Sequence, residues 1–345
     1  MEEEGDYPVI YGDEAIRIDN FTDKIIVSNT LINSEQPFIS AIYMGGYFRY
    51  WHGYVMFLKP LLSLLGLNQI RKILMVLSFS MMVACLLLLH NKLKIPGAMA
   101  FAMMWMDYYS SKVSGTMQFF WPYFIMCSAI IILCLISDKG EKEKDLIIPM
   151  LFFGAGSFVN FVDLLTFPLV TLTVPLLVYL LIERDTIRKN LIRTGFLSVM
   201  WGAGYALTWV VKWVISALFI PGEVLANIKE TISFRMQGDE AHQIDRLFVL
   251  QGNLQMPYFL HHMKILLPIL AVLVIAYLIV VREKETILFL CTLIPVILYP
   301  YIWYEFFCSH SIIHAFFTYR AQMGTSFGLY YIMVFLICKL VKRSE

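Results

Sequence analysis

Apolar residues recur along this chain in long runs, broken by short polar segments. The runs lie at roughly 72–90, 95–110, 118–136, 146–163, 165–182, 194–219, 264–281, 286–304 and 324–341. A helix of ~20 apolar residues crosses the ~30 Å hydrocarbon core of a bilayer. The pattern predicts an all-α polytopic membrane protein of about nine transmembrane helices. The second run is the weakest, because Pro96, Gly97 and Asp107 crowd it. The fourth and fifth are separated only by Asn160 to Leu165. No polar stretch is long enough to fold as a nucleotide-binding domain.

Composition supports this reading. Of 345 residues, 59% are hydrophobic and 15% charged, and mean hydropathy is +0.68. A soluble domain carries about 25% charged residues, so the excess apolar surface needs a solvent other than water. Net charge is +1, which provides no field for a nucleic-acid partner. The cysteines Cys85, Cys127, Cys134, Cys291, Cys308 and Cys338 form no CxxC pair, and most lie inside apolar runs. They read as small core residues.

Lys and Arg in the short loops set the orientation. Asn91–Lys94, Lys139–Lys144, Glu183–Arg193, Arg282–Lys284 and Lys339–Arg343 are basic, and placing all five inside gives a consistent alternation. Residues 1–70, Asp107–Gln118, Asn160–Asp163, 220–263 and 305–323 then lie outside. Residues 71–345 form the transmembrane domain, with 220–263 as an outer loop. Arg71 and Lys72 are a minor exception. An acidic segment of this size outside, with no span before it, is read as a first outer loop whose preceding span the sequence lacks. Within it, Tyr50–Leu67 has aromatics and His52 leading a leucine-rich stretch, the profile of a helix in the membrane interface. A short tenth span is the alternative, and it would invert the N-terminal side.

Four groups could carry chemistry, all on the outer side. Asp19 and Asp23 are four residues apart and share a face if helical. Carboxylates so placed can deprotonate a hydroxyl or hold a metal on a diphosphate, or simply cap a turn. Arg49, Trp51 and His52 combine a bidentate phosphate donor with aromatic faces that suit a sugar ring; the same residues serve as an interfacial belt. Asp163, between two apolar runs, is an ionisable group at the membrane boundary or the cap of the next helix. His310 and His314 stand one helical turn apart, and Arg320 follows near the next run. H-x-x-x-H without a third ligand is a weak zinc signal, so hydrogen bonding or phosphate binding is the favoured role, with an interfacial loop as the alternative. The 220–263 loop is long and charged but holds no specific motif. Span interiors are nearly free of charge, Lys212 being the main exception. Chemistry at the outer interface therefore fits better than conduction through the centre.

With these features the chain resembles the GT-C superfamily of integral-membrane glycosyltransferases, in architecture and over most of its length. Such proteins have many helices and a first outer loop with an essential aspartate and helices along the membrane; Arg17–Asp23 and Tyr50–Leu67 match these. Arg49–Tyr54, Phe161–Pro168 and His310–Arg320 also resemble segments of uncharacterised bacterial membrane proteins of this broad type. The resemblance implies inverting transfer of a sugar from a polyprenyl-phosphate carrier to a glycan, lipid or protein acceptor, outside the bacterial cytoplasmic membrane. Asp19 or Asp23 would be the base, Arg320 with His310 or His314 would hold the donor phosphate, and Asp163 would support the acceptor site. Two departures stand against it: the first span is absent, and the aspartates form no D-D or D-x-D pair. Metal dependence varies in the superfamily, so no metal is implied. The competing readings are a transporter or flippase for a lipid-linked glycan, which would show repeats around a midplane cavity, and a non-catalytic assembly subunit.

Overall fold

The computed structural model describes residues 51–116, 119–219, 228–229, 232–233, 236, 246–255 and 259–344. Every regular element among them is helical, with no strand. Five helices are long and apolar enough to cross a membrane: Asn68–Asp107, Glu141–Val162, Ile187–Leu218, Lys284–Phe306 and Ala315–Arg343. Four further apolar helices, Val55–Leu64, Phe120–Ile136, Val170–Glu183 and Lys264–Val280, are shorter. Asp19, Asp23 and Arg49 lie outside the described residues, as does part of the 220–263 loop.

The chain opens with α1 (Val55–Leu64) and α2 (Leu67–Asp107). Within α2 one residue is non-helical, Lys94, at φ 60° and ψ −155°, so that two helices meet there at a kink. The break falls between the first two apolar runs of the sequence. Beyond it the chain doubles back: Ser78 Oγ donates to Ser114 Oγ, and Gly115 lies against Met75. Thus 67–93 and 95–107 form a helical hairpin whose turn is a basic segment. There follow α3 (Ser110–Val113), α4 (Phe120–Ile136), α5 (Glu141–Val162), α6 (Val170–Glu183) and α7 (Ile187–Phe219). The second half comprises α8 (Arg246–Gln255), α9 (Phe259–Val280), α10 (Lys284–Cys291) and α11 (Ile294–Phe306). Short helices α12 (Cys308–Ile313) and α13 (Ala315–Thr318) lead through a 3-10 turn, Tyr319–Gln322, into α14 (Met323–Ser344).

At the centre stands α6, buried on every side from Val170 to Leu181. Its all-round apolar sequence is what such a position requires. Its two threonines are hydrogen-bonded within the bundle. Thr171 Oγ1 accepts the Trp201 indole N–H at 3.0 Å, and the Thr173 hydroxyl donates to the Leu169 carbonyl. Two pairs of helices approach closely at glycines. A Cβ on Gly156 of α5 would lie 2.1 Å from the Trp201 carbonyl oxygen of α7, and one on Gly204 of α7 2.1 Å from that of Phe153. Similarly, Gly324 of α14 sits against Thr173 of α6. Small residues at such crossings let backbones pack directly where no hydrophobic effect drives helices together. All six cysteines are free, and four of them are buried.

Loops collect at two ends of the bundle. At one, Lys92 pairs with Asp138, Lys144 with Glu141 and Glu183, and Arg193 with Asp185. Arg184 lies over the Phe289 and Phe335 rings, and Tyr277 donates to Glu283. These groups come from the basic segments of the sequence, which therefore share an end. Asp185, in the loop between α6 and α7, takes the Thr186 backbone N–H at 2.8 Å and has Lys189 and Arg193 beside it. Together, with the backbone N–H foremost, they hold its carboxyl below the usual range against some opposing desolvation. A depressed folded pKa stabilises above the ordinary carboxylate pKa, and the effect is lost as pH falls through the lower folded value. Asp185→Asn is therefore expected to lower the melting temperature at neutral pH, with the two proteins converging on strong acidification; a melting series in detergent across pH checks this.

Candidate functional site

At the opposite end the chain brings together three of the four groups singled out in the sequence, in part through a turn at 163–169. The turn is set by Asp163, whose carboxylate accepts the Thr166 backbone N–H at 2.7 Å and the Thr166 hydroxyl. Asp163 is 4% exposed. Its local role is thus the capping one, and the turn delays α6 to Val170. Within the turn, Leu165 has φ 63°. A branched residue in the left-handed region is strained and persists only where the surroundings fix it. Here the fixing contact is visible: His310 Nε2 donates to the Leu165 carbonyl at 2.6 Å.

His310 is buried on α12, and His314 caps that helix one turn later, their ring centroids 4.7 Å apart. The His314 ring stacks on Phe317 at 5.1 Å and 13°. Phe317 in turn meets Phe119, which meets Phe167 of the 163–169 turn. The Arg320 guanidinium lies over this aromatic floor, 5.2 Å from the Phe119 centroid and 4.6 Å from that of Tyr319. Tyr108 stacks beneath Tyr319 at 5.8 Å.

Arg320 is the chemically distinctive residue of this end. It is 7% exposed, and Nη1 donates to the Phe316 carbonyl at 3.2 Å. Its Nε has no hydrogen-bond partner, and no carboxylate among the described residues forms an ion pair with it. A buried guanidinium is ordinarily paired, because taking its charge out of water is costly. Two further buried groups on α12, the hydroxyls of Ser309 and Ser311, also lack partners. The arrangement offers a planar cation, imidazoles and hydroxyls among aromatic faces. That donor set suits an oxyanion carrying an apolar or sugar substituent.

Trp51 and His52 dock on the same stretch of chain. The Gly53 N–H donates to the Phe161 carbonyl at 2.8 Å, four residues before Leu165. No side chain fits at Gly53, whose Cβ would lie 2.3 Å from the Phe161 ring. Trp51 donates its indole N–H to the Thr208 carbonyl at 2.8 Å and packs on Phe161 at 5.8 Å. His52 is buried at φ 53°, with Nδ1 3.3 Å from the Tyr54 hydroxyl. The Phe161–Leu165 segment thus carries contacts to both Gly53 and His310.

Three further features belong to this end, of which Asn253 was not singled out in the sequence. Tyr330 donates to the Asp107 carboxylate, joining the end of α2 to α14. Asn253 of α8 donates to the Val249 and Ser311 carbonyls and accepts the Thr318 hydroxyl, while its own carbonyl accepts Gln322 Nε2. Lys212, 1% exposed, has its ammonium 5.8 Å from the Trp51 ring centroid. The signal for the first two was a polar residue in an apolar neighbourhood, without any periodicity to name its partner. Among the described residues no group of three or more His, Cys, Asp or Glu converges as a metal site. Compared with family models, curated proteins and solved structures, the chain matches none.

Proposed function

We propose that this chain is a membrane glycosyltransferase that moves a sugar from a polyprenyl-phosphate carrier to a glycan, lipid or protein acceptor at the outer face of a bacterial cytoplasmic membrane. The observation that carries the reading is the buried Arg320, which forms no ion pair with a described residue and has an open Nε, set on aromatic rings beside the His310–His314 pair. In this reading the helices supply about nine spans, the shorter apolar ones included. The basic end faces the cytoplasm, as lysine and arginine in short loops do. Arg320 binds the donor phosphate and stabilises the charge that develops on it as the sugar leaves. The acceptor hydroxyl oxygen attacks the anomeric carbon as the bond from that carbon to the phosphate oxygen breaks. The electron pair leaves with the polyprenyl phosphate, and the configuration inverts. Asp19 or Asp23 takes the hydroxyl proton.

Two outcomes test this. Asp19→Asn or Asp23→Asn is expected to abolish sugar transfer in membranes while leaving donor binding intact; equal transfer by both variants and the wild type refutes the assignment of the base. A transporter for the same lipid-linked glycan would bind donor and show no transfer in any variant. The orientation has its own check. Glu305→Cys is expected to react with a membrane-impermeant maleimide on intact cells and Asp138→Cys only after lysis; the reverse pattern inverts the topology.

A further inference from the structure

At the basic end of the bundle Lys92, Lys144 and Arg193 each have an acid partner, in Asp138, Glu183 and Asp185. Arg184 and Lys339 form no ion pair with a described carboxylate, yet both are held against one ring. The Arg184 guanidinium lies 5.6 Å from the Phe335 centroid and 5.3 Å from that of Phe289. The Lys339 ammonium lies 5.7 Å from the Phe335 centroid. Both rings are buried, whereas Arg184 is exposed and Lys339 half-buried. The acids nearest in the fold are engaged elsewhere. Glu183 holds Lys144, and Glu283 accepts the hydroxyls of Tyr277 at 2.9 Å and Thr286 at 3.2 Å. The backbone of Arg184 adds a second observation. It caps α6 in the left-handed region, at φ 44° and ψ 51°, where glycine is the usual residue. A longer side chain there carries strain that its surroundings must fix, and what this one reaches is the pair of rings.

We propose that Arg184 and Lys339 together bind the phosphate of an anionic phospholipid at this end of the bundle. Like charges gathered at one ring repel, and no described carboxylate pairs with either. A phosphodiester supplies the missing anion: the guanidinium offers it a planar fork and the ammonium a point charge. Position selects a lipid over free phosphate. Phe335 and Lys339 belong to the last turns of α14, a helix long enough to cross a membrane, so the membrane surface falls at their level. Beside the two rings, Ile337 of α14 and Leu288 of α10 are 40% and 51% exposed, apolar surface on which an acyl chain can lie. Basic pockets between helix ends take acidic head groups for this reason. A bound lipid would join the end of α6 to α14 across the ring of Phe335. The proposal does not depend on the reading of Arg320.

The test is phospholipid retention by the purified full chain, delipidated in detergent and then offered phosphatidylglycerol or phosphatidylethanolamine of matched chains, read by native mass spectrometry. Wild type is expected to prefer phosphatidylglycerol by roughly 25-fold, about fivefold from each basic residue. Arg184→Gly keeps the left-handed turn and removes the guanidinium. Lys339→Met keeps an apolar stem on Phe335 and removes the ammonium. Each variant is expected to reduce the preference to about fivefold, and the double variant to bind the two lipids alike. Lys92→Met removes a cation of the same end that already has its acid partner, and is expected to leave the preference unchanged. Excess inorganic phosphate is expected not to displace the lipid. Equal binding of the two lipids by the wild type, a preference retained in the double variant, a loss in Lys92→Met as large as in Lys339→Met, or displacement by inorganic phosphate would each overturn the proposal.

Discussion

Arg320→Met is expected to weaken binding of polyprenyl phosphate by roughly a hundredfold while leaving the protein at least as stable. The two halves come from one observation. Arg320 is a buried cation that forms no ion pair with a described residue and has an unpartnered Nε. Replacing such a charge with an apolar side chain of similar length removes a desolvation cost, and exchanges of this kind are often neutral or stabilising. When a phosphate occupies the site, the same guanidinium becomes one partner of a buried charge pair, and deleting it costs about 2–5 kcal/mol. Arg320→Lys keeps the charge but loses the planar fork and its seat on Tyr319 and Phe119, so it is expected to recover only part of the affinity. Donor affinity and melting temperature measured on the same preparations check both halves. A purely structural arginine would lose stability and leave donor affinity unchanged in the folded fraction.

The largest stability loss is expected at the crossing of α5 and α7. A Cβ on Gly156 would lie 2.1 Å from the Trp201 carbonyl oxygen, and one on Gly204 equally close to that of Phe153. The opposing atoms are backbone, so the helices themselves would have to separate. Ser157 Oγ, which donates to the Gly204 carbonyl at 3.2 Å, would lose its partner as well. Gly156→Ala is expected to cost about 2–3 kcal/mol, the upper range for overpacking. Gly154→Ala, two residues earlier on the same helix, meets nothing within 4 Å and gains helix propensity of about 1 kcal/mol. Unfolding of the two alanine variants side by side in detergent checks the contrast.

Much of the fold was legible because one physical rule, apolar length against polar interruption, governs it. The hairpin turn at Lys94 falls between the runs 72–90 and 95–110, where Asn91–Lys94 is basic. The basic loops do gather at one end, through Lys92–Asp138, Lys144–Glu183 and Arg193–Asp185. The start of α6 was read five residues early, at 165, because the apolar pattern continues through a turn that Asp163 and Thr166 make with hydrogen bonds. The one-turn spacing of His310 and His314 predicted their proximity, which survives although α12 ends between them and α13. Contacts between distant parts of the chain were not legible. Nothing periodic tells that Arg320 rests on Phe119, that His310 reaches Leu165, or that Asn253 reaches Ser311 and Gln322. The proposed base, Asp19 or Asp23, rests on the sequence alone.

The most direct measurement is transfer of a radiolabelled sugar by the purified full chain in proteoliposomes, supplied with a panel of polyprenyl-phosphate sugars, with Arg320→Met alongside. The account predicts donor-dependent transfer by the wild type, accompanied by release of polyprenyl phosphate, and its loss in the variant. Donor binding by the wild type without transfer from any donor in the panel would contradict it.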